Sequence, residues 1–378
     1  MVFSMSFSQS VVLYADDQPL AGLAAPRTNQ RYRHPRLALE DRTVRMPTLG
    51  EVLIAPIYAG LCGTDLHLVS ADATTGYVRS SAPALIPGHG RVVGHEGVAR
   101  IKAVGEGVSH VRVGEIVALE SIYACGDCEV CRRGMANQCR KAKLLGLEID
   151  GIFATEAVVP AGLCRPIGCL ADSDEGLRTA ALLEPAAVAF LAGINTKIAA
   201  GDRVVVFGGG PIGDLMAMMC RLLFGARQVD LVEPLAFRRK LASGFVDRAF
   251  DVDAFSGSSG VYDVLIDASG ALDSVAATIP RIDANGRICL LARSGAPLHI
   301  DAVDHLLTNN ITVLGSRGHL GGIFEKLLHL VEANRLPLNS IITATVDGLL
   351  PLKALLETPR VVIEDNCKIL CRLPGADH

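Results

Sequence analysis

The segment from about Gly201 to Ser316 alternates continuous apolar runs with helical stretches. The apolar runs are RVVVFG, QVDLVE, YDVLIDAS, RICLLA and ITVLGS, and helical segments such as PIGDLMAMMCRLL lie between most of them. A strand that is apolar at every position is buried on both faces, as in a parallel sheet covered by helices. This pattern predicts a doubly wound α/β unit.

The preceding region has a different rhythm. From about Glu51 to Pro160, short β-like runs alternate with glycine-rich turns: EVLIAPIYAG, GVARIKAVGEGV, EIVALESI and GIFATEAVVP. Such spacing predicts a mainly antiparallel, barrel-like domain. The tail holds a helical stretch, GIFEKLLHLVEANR, and ends in a possible strand, CKILCRL. We expect the tail to return to the first domain, because alone it would leave its apolar faces unburied.

A length of 378 residues is consistent with two domains. We therefore predict a first domain over 1–185, the doubly wound α/β domain over 186–318 and a return to the first domain over 319–378.

Charge and hydropathy restrict the partners. The net charge is −4 and the pI about 6.2, which provides no general attraction to nucleic acid or to an anionic membrane. Charged residues interrupt every apolar run before the roughly 18 residues that a membrane span needs. We expect a cytoplasmic protein whose thiols stay reduced.

A glycine-rich loop follows the first apolar run of the α/β region. The motif FGGGPIG places glycines in the G-x-G-x-x-G pattern, between a strand and a helix. Its candidate cofactor-binding residues are Gly208, Gly210, Pro211, Ile212, Gly213, Glu233 and Arg238. Glu233 closes the next strand, where it can accept hydrogen bonds from the ribose of NAD and would repel the phosphate of NADP. Arg238 and Arg239 lie close enough to partner such a phosphate, and a loop that binds nothing is the competing interpretation.

Four cysteines crowd into CGDCEVCRRGMANQC. Cys125, Cys128, Cys131 and Cys139 have C-x2-C-x2-C-x7-C spacing, and four thiolates complete a closed tetrahedral zinc shell. The intervening residues are small or polar, so the metal would substitute for a hydrophobic core. Iron–sulfur ligation or redox chemistry is the alternative.

A second set of metal-ligand types is dispersed. AGLCGTDLH carries Cys62, Thr64, Asp65 and His67; VVGHEGVARI carries His95 and Glu96; ALLEPAAV carries Glu184. Each residue alone is a weak signal, since a lone cysteine is usually buried and inert. Together they can form an open catalytic site with sulfur, nitrogen and oxygen ligands.

In the order CGTDLH, GHE, the four-cysteine segment, LLEPAAVA and VFGGGPIG, the chain resembles the zinc-dependent medium-chain dehydrogenases. The resemblance runs from about residue 50 to the end of the chain. It implies a Rossmann domain, which binds NAD, and a chaperonin-10-like catalytic domain with a structural zinc lobe. It also implies two zinc ions per chain and an active site in the cleft between the domains.

The resemblance also implies residue roles. Cys62 and His95 would bind the catalytic zinc, with Glu96 and Glu184 as candidates for the remaining ligand. Thr64 and His67 would relay the proton of a secondary alcohol, such as a polyol, sugar, cyclitol or amino alcohol, while its hydride passes to NAD. A symmetric dimer or tetramer is expected. The alternatives are a binding protein with a degraded catalytic centre and an epimerase that recycles NAD.

The chain departs from the family pattern in three places. About twenty extra residues precede the usual start of the barrel, the loop between Cys62 and His95 is long, and Ala99 replaces a common glycine. His89 lies close enough in sequence to compete as a ligand. Arg79, His89 and Arg317 are candidates for meeting a polar or anionic substrate, with solvated surface as the alternative for each.

Overall fold

The computed structural model describes residues 6–376, which divide into two compact units. The first unit extends to Glu184 and resumes over Ile342–Ile363 and from Lys368 onwards. The second unit comprises Pro185–Ile341 and Glu364–Cys367. The chain therefore leaves the first unit after Glu184, returns at Ile342, and visits the second unit once more over Glu364–Cys367.

The first unit is built mainly of antiparallel strands. Its strands before the second unit are β1 Ser6–Asp17, β2 Tyr32–Val44, β3 Glu51–Leu61, β4 Arg91–Val92, β5 Gly97–Val104, β6 Ile116–Leu119, β7 Ile122–Tyr123, β8 Lys143–Leu144, β9 Ala157–Pro160 and β10 Cys164–Pro166. Its helices are α1 Gly63–Val69, α2 Glu129–Arg132 and α3 Asp174–Ala180, and α4 Leu183–Thr196 leads into the second unit. In the large sheet β3 pairs with β5 and β9, and β6 pairs with β5 and β10. Every residue of β3 after Glu51 is buried, as expected for a central strand.

The extra N-terminal residues form a hairpin. β1 and β2 pair antiparallel along most of their length, with an irregularity between Tyr14 and Asp16. β1 also pairs with β4, which ends the long loop between Cys62 and His95. Val11, Val12 and Leu13 of β1 are fully buried. Two departures from the family pattern, the added N-terminal residues and the long loop, are therefore packed together.

The second unit is a six-stranded parallel sheet with helices between its strands. The strands are β11 Arg203–Phe207, β12 Gln228–Val232, β13 Arg248–Phe250, β14 Tyr262–Asp267, β15 Ile282–Leu290 and β16 Thr312–Gly315. The helices are α5 Pro211–Leu222, α6 Ala236–Ala242, α7 Val252–Ser256, α8 Leu272–Thr278, α9 Val303–Thr308 and α10 Ile323–Glu332. The strand order β13-β12-β11-β14-β15-β16 reverses direction at β11, which is the doubly wound Rossmann topology. The predicted fold class is confirmed.

The chain then completes the first unit with β17 Ile342–Asp347, α11 Leu349–Glu357 and β18 Lys368–Arg372. Between the last two lies α12 Pro359–Asp365, whose last two residues belong to the second unit. β18 lies between β3, to which it is antiparallel, and β17, to which it is parallel. The return begins at Ile342 rather than at the expected 319. The difference arises because α10 and the following turn, Leu338–Ile341, bury their apolar residues in the second unit, where that turn packs against α5.

No single helix among residues 6–376 is long and apolar enough to cross a membrane. Asp174–Ala180 and Leu183–Thr196 satisfy the length and composition criteria only when taken together, and a bend of 46° separates them.

Candidate active site

The four cysteines between β7 and β8 converge on one point. The Cys128 Sγ lies 3.5 Å from the Cys131 Sγ and 3.9 Å from the Cys139 Sγ, which is 3.5 Å from the Cys125 Sγ. A tetrahedron with Zn–S bonds of about 2.3 Å has edges of about 3.8 Å, whereas a disulfide bond is about 2.05 Å long. Backbone N–H groups of Cys125 and Lys141 donate to the Cys139 Sγ and lower the pKa of that thiol. The four residues fit a zinc ion.

A second group is formed around the end of β3. Cys62 follows β3 directly and caps helix α1. Asp65, in the first turn of α1, accepts the Cys62 backbone N–H through Oδ2 at 3.1 Å, and its Oδ1 lies 3.2 Å from the His95 Nδ1. Because Asp65 is fully buried, its carboxylate fixes the ring orientation and leaves the His95 Nε2 as the nitrogen available to a metal.

Cys62, His95 and Glu96 each place a ligand atom within 4.8 Å of the other two. The Glu96 Oε2 is buried and has no hydrogen-bond partner within residues 6–376. Burial opposes ionisation of the Cys62 thiol, but the positive charges of His95 and Lys368 lower its pKa below the ordinary value. A thiolate, an imidazole and a carboxylate oxygen without a partner fit zinc with a position left open.

Lys368, the first residue of β18, holds Glu96 in place. Its ammonium donates to the Glu96 Oε1 and, at 3.1 Å, to the backbone carbonyl of Leu61. Both side chains are buried, with 1% and 0% exposure, and burial lowers the pKa of Lys368 to about 8. A Cβ at Gly60 would collide with the Glu96 carboxylate. The sequence signal for this missed residue is a lysine directly before the apolar run ILC of the last strand.

Glu184 is buried outside this three-residue group. Its Oε1 accepts the Ser121 hydroxyl at 2.5 Å. Burial raises the pKa of Glu184, and the nearby positive charge of His95 opposes that rise. Among residues 6–376 the metal-ligand group is Cys62, His95 and Glu96, so Glu184 lies near the site without joining it. His89 is likewise outside the group, and its carbonyl accepts the Arg42 guanidinium.

The two predicted relay residues lie on α1. Thr64 is half-buried and His67 is exposed, and no hydrogen bond joins them in the described part of the chain. Partial burial and the positive charge of Arg79 lower the pKa of His67. His67 is therefore neutral at pH 7 and can accept a proton.

The glycine loop has the geometry of a dinucleotide site. Gly208 adopts φ +98°, and a Cβ at Gly213 would fall 1.8 Å from the Gly208 carbonyl oxygen. Gly210 caps α5, and Pro211 is its first residue; Ile212 is half-buried. The strand and the helix can approach this closely only with glycine at these positions.

Glu233 and Arg238 flank this loop. The Glu233 carboxylate accepts the backbone N–H of Gly209 at 2.7 Å and of Leu235 at 2.9 Å. The Arg238 guanidinium donates Nε and Nη2 to the Asn366 carbonyl, at 3.2 and 2.9 Å. Two of its three nitrogens are thus used within the protein, which weakens the case for Arg238 as a partner of a 2′-phosphate.

The buried acid Asp214 on α5 makes protein stability depend on pH. Its Oδ2 accepts the Cys367 thiol at 3.3 Å, and burial raises its pKa from the ordinary 3.8 to about 8. A raised pKa means that the folded state prefers the protonated acid, so stability falls as pH rises from 3.8 to 8.

Replacing Asp214 with asparagine is expected to remove this pH dependence. We expect the free energy of unfolding of Asp214→Asn to exceed that of the wild type at pH 8. This difference between variant and wild type should be larger at pH 8 than at pH 5 by about 1–4 kcal/mol, and denaturant titration at both pH values measures it. Asp273→Asn, at an exposed position on α8, is the control. Equal effects of the two variants would contradict a charge penalty at Asp214.

A Rossmann sheet with a glycine loop, together with two zinc-type ligand groups, is the combination of features that the resemblance to the zinc-dependent dehydrogenases implies. A family model described as the alcohol dehydrogenase GroES-like domain matches residues 48–168. The L-threonine 3-dehydrogenase of Pyrococcus abyssi is 31% identical, over 82% of this chain and 88% of the relative. The scyllo-inosose 3-dehydrogenase of Thermotoga maritima is 29% identical, over 83% and 85% of the two chains.

A solved structure of an alcohol dehydrogenase from Escherichia coli CFT073, in complex with NADH, shares the fold. Its TM-score is 0.81 at 23% identity, and the match covers 97% of this chain and 100% of that one. The chain belongs to the zinc-dependent medium-chain dehydrogenase family, which confirms the resemblance. It is an NAD-dependent enzyme of the alcohol dehydrogenase type.

Proposed function

We propose that the protein interconverts a secondary alcohol and its ketone in a zinc-dependent reaction with NAD(H), and that its substrate is a polyol, sugar, cyclitol or amino alcohol. The observation that carries this proposal is the Cys62–His95–Glu96 group, oriented by Asp65 and Lys368. Relatives named for L-threonine and scyllo-inosose support the substrate class.

Each candidate site residue of the first unit has a role in the proposed reaction. Cys62 and His95 hold the catalytic zinc, and Glu96 presents its unpartnered oxygen as the third protein ligand. A zinc ion bound there supplies Lewis acidity, which favours the ionised form of an alcohol near neutral pH. Thr64 accepts the hydroxyl proton, and His67 takes it onward to solvent.

The second unit holds the dinucleotide in this proposal. The N-terminus of α5 binds the pyrophosphate, because the first backbone N–H groups of a helix have no partner within the helix, and the glycines of the loop allow the close approach. Glu233 binds the ribose hydroxyls and disfavours NADP. The nicotinamide supplies the hydride acceptor.

Metal content and NADH formation test this function together. We expect about two zinc ions per chain by plasma mass spectrometry on protein purified without added metal or chelator. Incubation with NAD and a panel of polyols, cyclitols and amino alcohols should then accumulate NADH. The proposal is refuted if the protein contains about one zinc ion per chain, if this content does not rise on zinc reloading, and if no NADH is formed.

Thr64→Ala is expected to lower kcat by about 100- to 10,000-fold, the range for loss of a proton-transfer group. Zinc content should stay at the wild-type value, because Thr64 is not among the three ligand residues. Thr64→Ser, which keeps the hydroxyl, should retain most of the activity. A Thr64→Ala enzyme with wild-type kcat would exclude Thr64 from the relay.

A further inference from the structure

The segment after α1, residues 70–86, is fixed by the N-terminal hairpin. The Val78 N–H donates to the Tyr32 carbonyl at 2.9 Å, and the Ile86 N–H donates to the Tyr32 hydroxyl at 3.2 Å. The Thr28 hydroxyl donates to the Ala82 carbonyl at 2.5 Å. The hairpin therefore gives a defined position to a segment that would otherwise be a long surface loop.

Arg79 lies within this fixed segment, beside the relay helix. Its backbone N–H donates to the Ser70 carbonyl at 2.9 Å, and the next residue, Ser80, donates its N–H to the His67 carbonyl at 3.1 Å. Val78 and Ser80 are buried, whereas Arg79 between them is exposed. The side chain of Arg79 is thus directed outward next to His67.

The Arg79 guanidinium forms no ion pair with Asp72, although its charge adds to the hydrogen bonds from Thr75 in lowering the pKa of that carboxylate. Within residues 6–376 it makes neither an ion pair nor a hydrogen bond. The nearby acid Asp72 is already engaged, because its Oδ1 accepts the backbone N–H groups of Thr74 and Thr75 and the Thr75 hydroxyl. Three arginines of the hairpin, in contrast, are paired with acids: Arg31 with Asp17, Arg36 with Asp16 and Arg42 with Glu40.

We propose that Arg79 recognises a negatively charged group of the substrate, so that the substrate is a secondary alcohol carrying a carboxylate or a phosphate. The inference rests on the proposed function and narrows its substrate class to hydroxy acids or sugar phosphates. A guanidinium suits this task because its planar donors match both anions and it stays charged at every working pH. The fixed backbone on either side lowers the entropy lost on binding.

Arg293 is the alternative residue for binding a negatively charged group of the substrate. Arg293 lies three residues beyond Leu290, the last residue of β15, and Arg317 lies two beyond Gly315, the last residue of β16; Leu290 and Gly315 are paired. The Arg293 side chain makes no ion pair or hydrogen bond with the described residues. Ligands of doubly wound sheets bind at the carboxyl ends of the strands, so Arg293 is tested beside Arg79.

The test compares three probes that share one carbon chain: D-glucitol, D-gluconate and D-glucitol 6-phosphate. Their affinities for zinc-containing, NADH-loaded protein are measured by calorimetry, since NADH prevents turnover of an alcohol. We expect at least one acid to bind about 10- to 100-fold more tightly than D-glucitol, the range for a hydrogen bond to a charged group. Which of the two acids binds more tightly shows whether the site prefers a carboxylate or a phosphate.

Arg79→Gln should abolish this preference and leave the affinity for D-glucitol unchanged, and Arg79→Lys should retain part of it. Arg112→Gln, at an exposed arginine in another turn of the first unit, is the matched control. The assignment is overturned if neither acid binds more tightly than D-glucitol, if Arg79→Gln and Arg112→Gln behave alike, or if Arg293→Gln removes the preference instead.

Zinc content and NADH formation on the same preparation separate the two proposals. Two zinc ions with NADH formed from neutral polyols, and no preference for acids, would overturn this inference and leave the proposed function intact. Acid binding that depends on Arg79, in a preparation that oxidises no alcohol after zinc reloading, would refute the function and support the anion site.

Discussion

Cys62→Ser is expected to lower zinc content from two ions per chain to one and to reduce kcat/KM at least about 1,000-fold. The thiolate is a stronger zinc ligand than a serine hydroxyl, whose pKa lies far above neutrality. The lobe of four cysteines is a separate closed group and should keep its ion. Plasma mass spectrometry and NADH formation measure the two effects.

Cys164→Ser is the matched control, because Cys164 is a buried cysteine of the same unit that lies outside both ligand groups. It should keep two zinc ions. A Cys62→Ser protein that retains two zinc ions, or loses both, would contradict two independent sites.

Lys368→Met is expected to destabilise the protein by about 3–5 kcal/mol, the cost of leaving one member of a buried ion pair without its partner. Both side chains are buried, so solvent cannot replace the ammonium beside Glu96. Denaturant titration of the zinc-containing protein measures the loss.

Lys368→Met should cost less in a Glu96→Gln protein than in the wild type, since that protein has no buried carboxylate to lose its partner, and both members of the comparison lack the same ligand. Lys353→Met breaks an i,i+4 pair with the half-exposed Glu357 and should cost only about 0.3–0.5 kcal/mol. If Lys368→Met costs no more than Lys353→Met, the buried pair does not stabilise the fold.

The features predicted from sequence are those that local spacing determines. Four cysteines within fifteen residues can meet without help from the rest of the chain, and the glycines of FGGGPIG are required by the contact of one strand with its own helix. The apolar runs predicted the parallel sheet for a similar reason, because burial on both faces is visible in each strand separately.

The features that were not predicted depend on distant contacts. Lys368 meets Glu96 only because β18 pairs with β3, and Ser121 meets Glu184 across the first unit. Asp65 could have been recognised from its position three residues after Cys62 at a helix start, which is the position of a capping-box acid. The spacing in CGTDLH cannot show that its other oxygen reaches His95.

The packing of the added N-terminal residues also lay beyond sequence reasoning. Nothing in PRTNQRYRHPR indicates that Thr28 and Tyr32 hold residues 78–86, since each of these bonds has a distant backbone group as one partner, and its position depends on the fold. The same is true of the residue at which the chain returns to the first unit. That residue is Ile342, because α10 and the turn at 338–341 bury their apolar residues in the second unit.

The position of β18 sets the order of events during synthesis. The contact between Lys368 and the Leu61 carbonyl spans 307 residues of chain, so the ribosome needs about 15–60 s to complete that contact after β3 emerges. Throughout that interval Glu96 lacks its ammonium partner and the edge of β3 lacks its neighbour. The nascent protein therefore carries an unpaired strand edge beside the Cys62 thiol until β18 has been made.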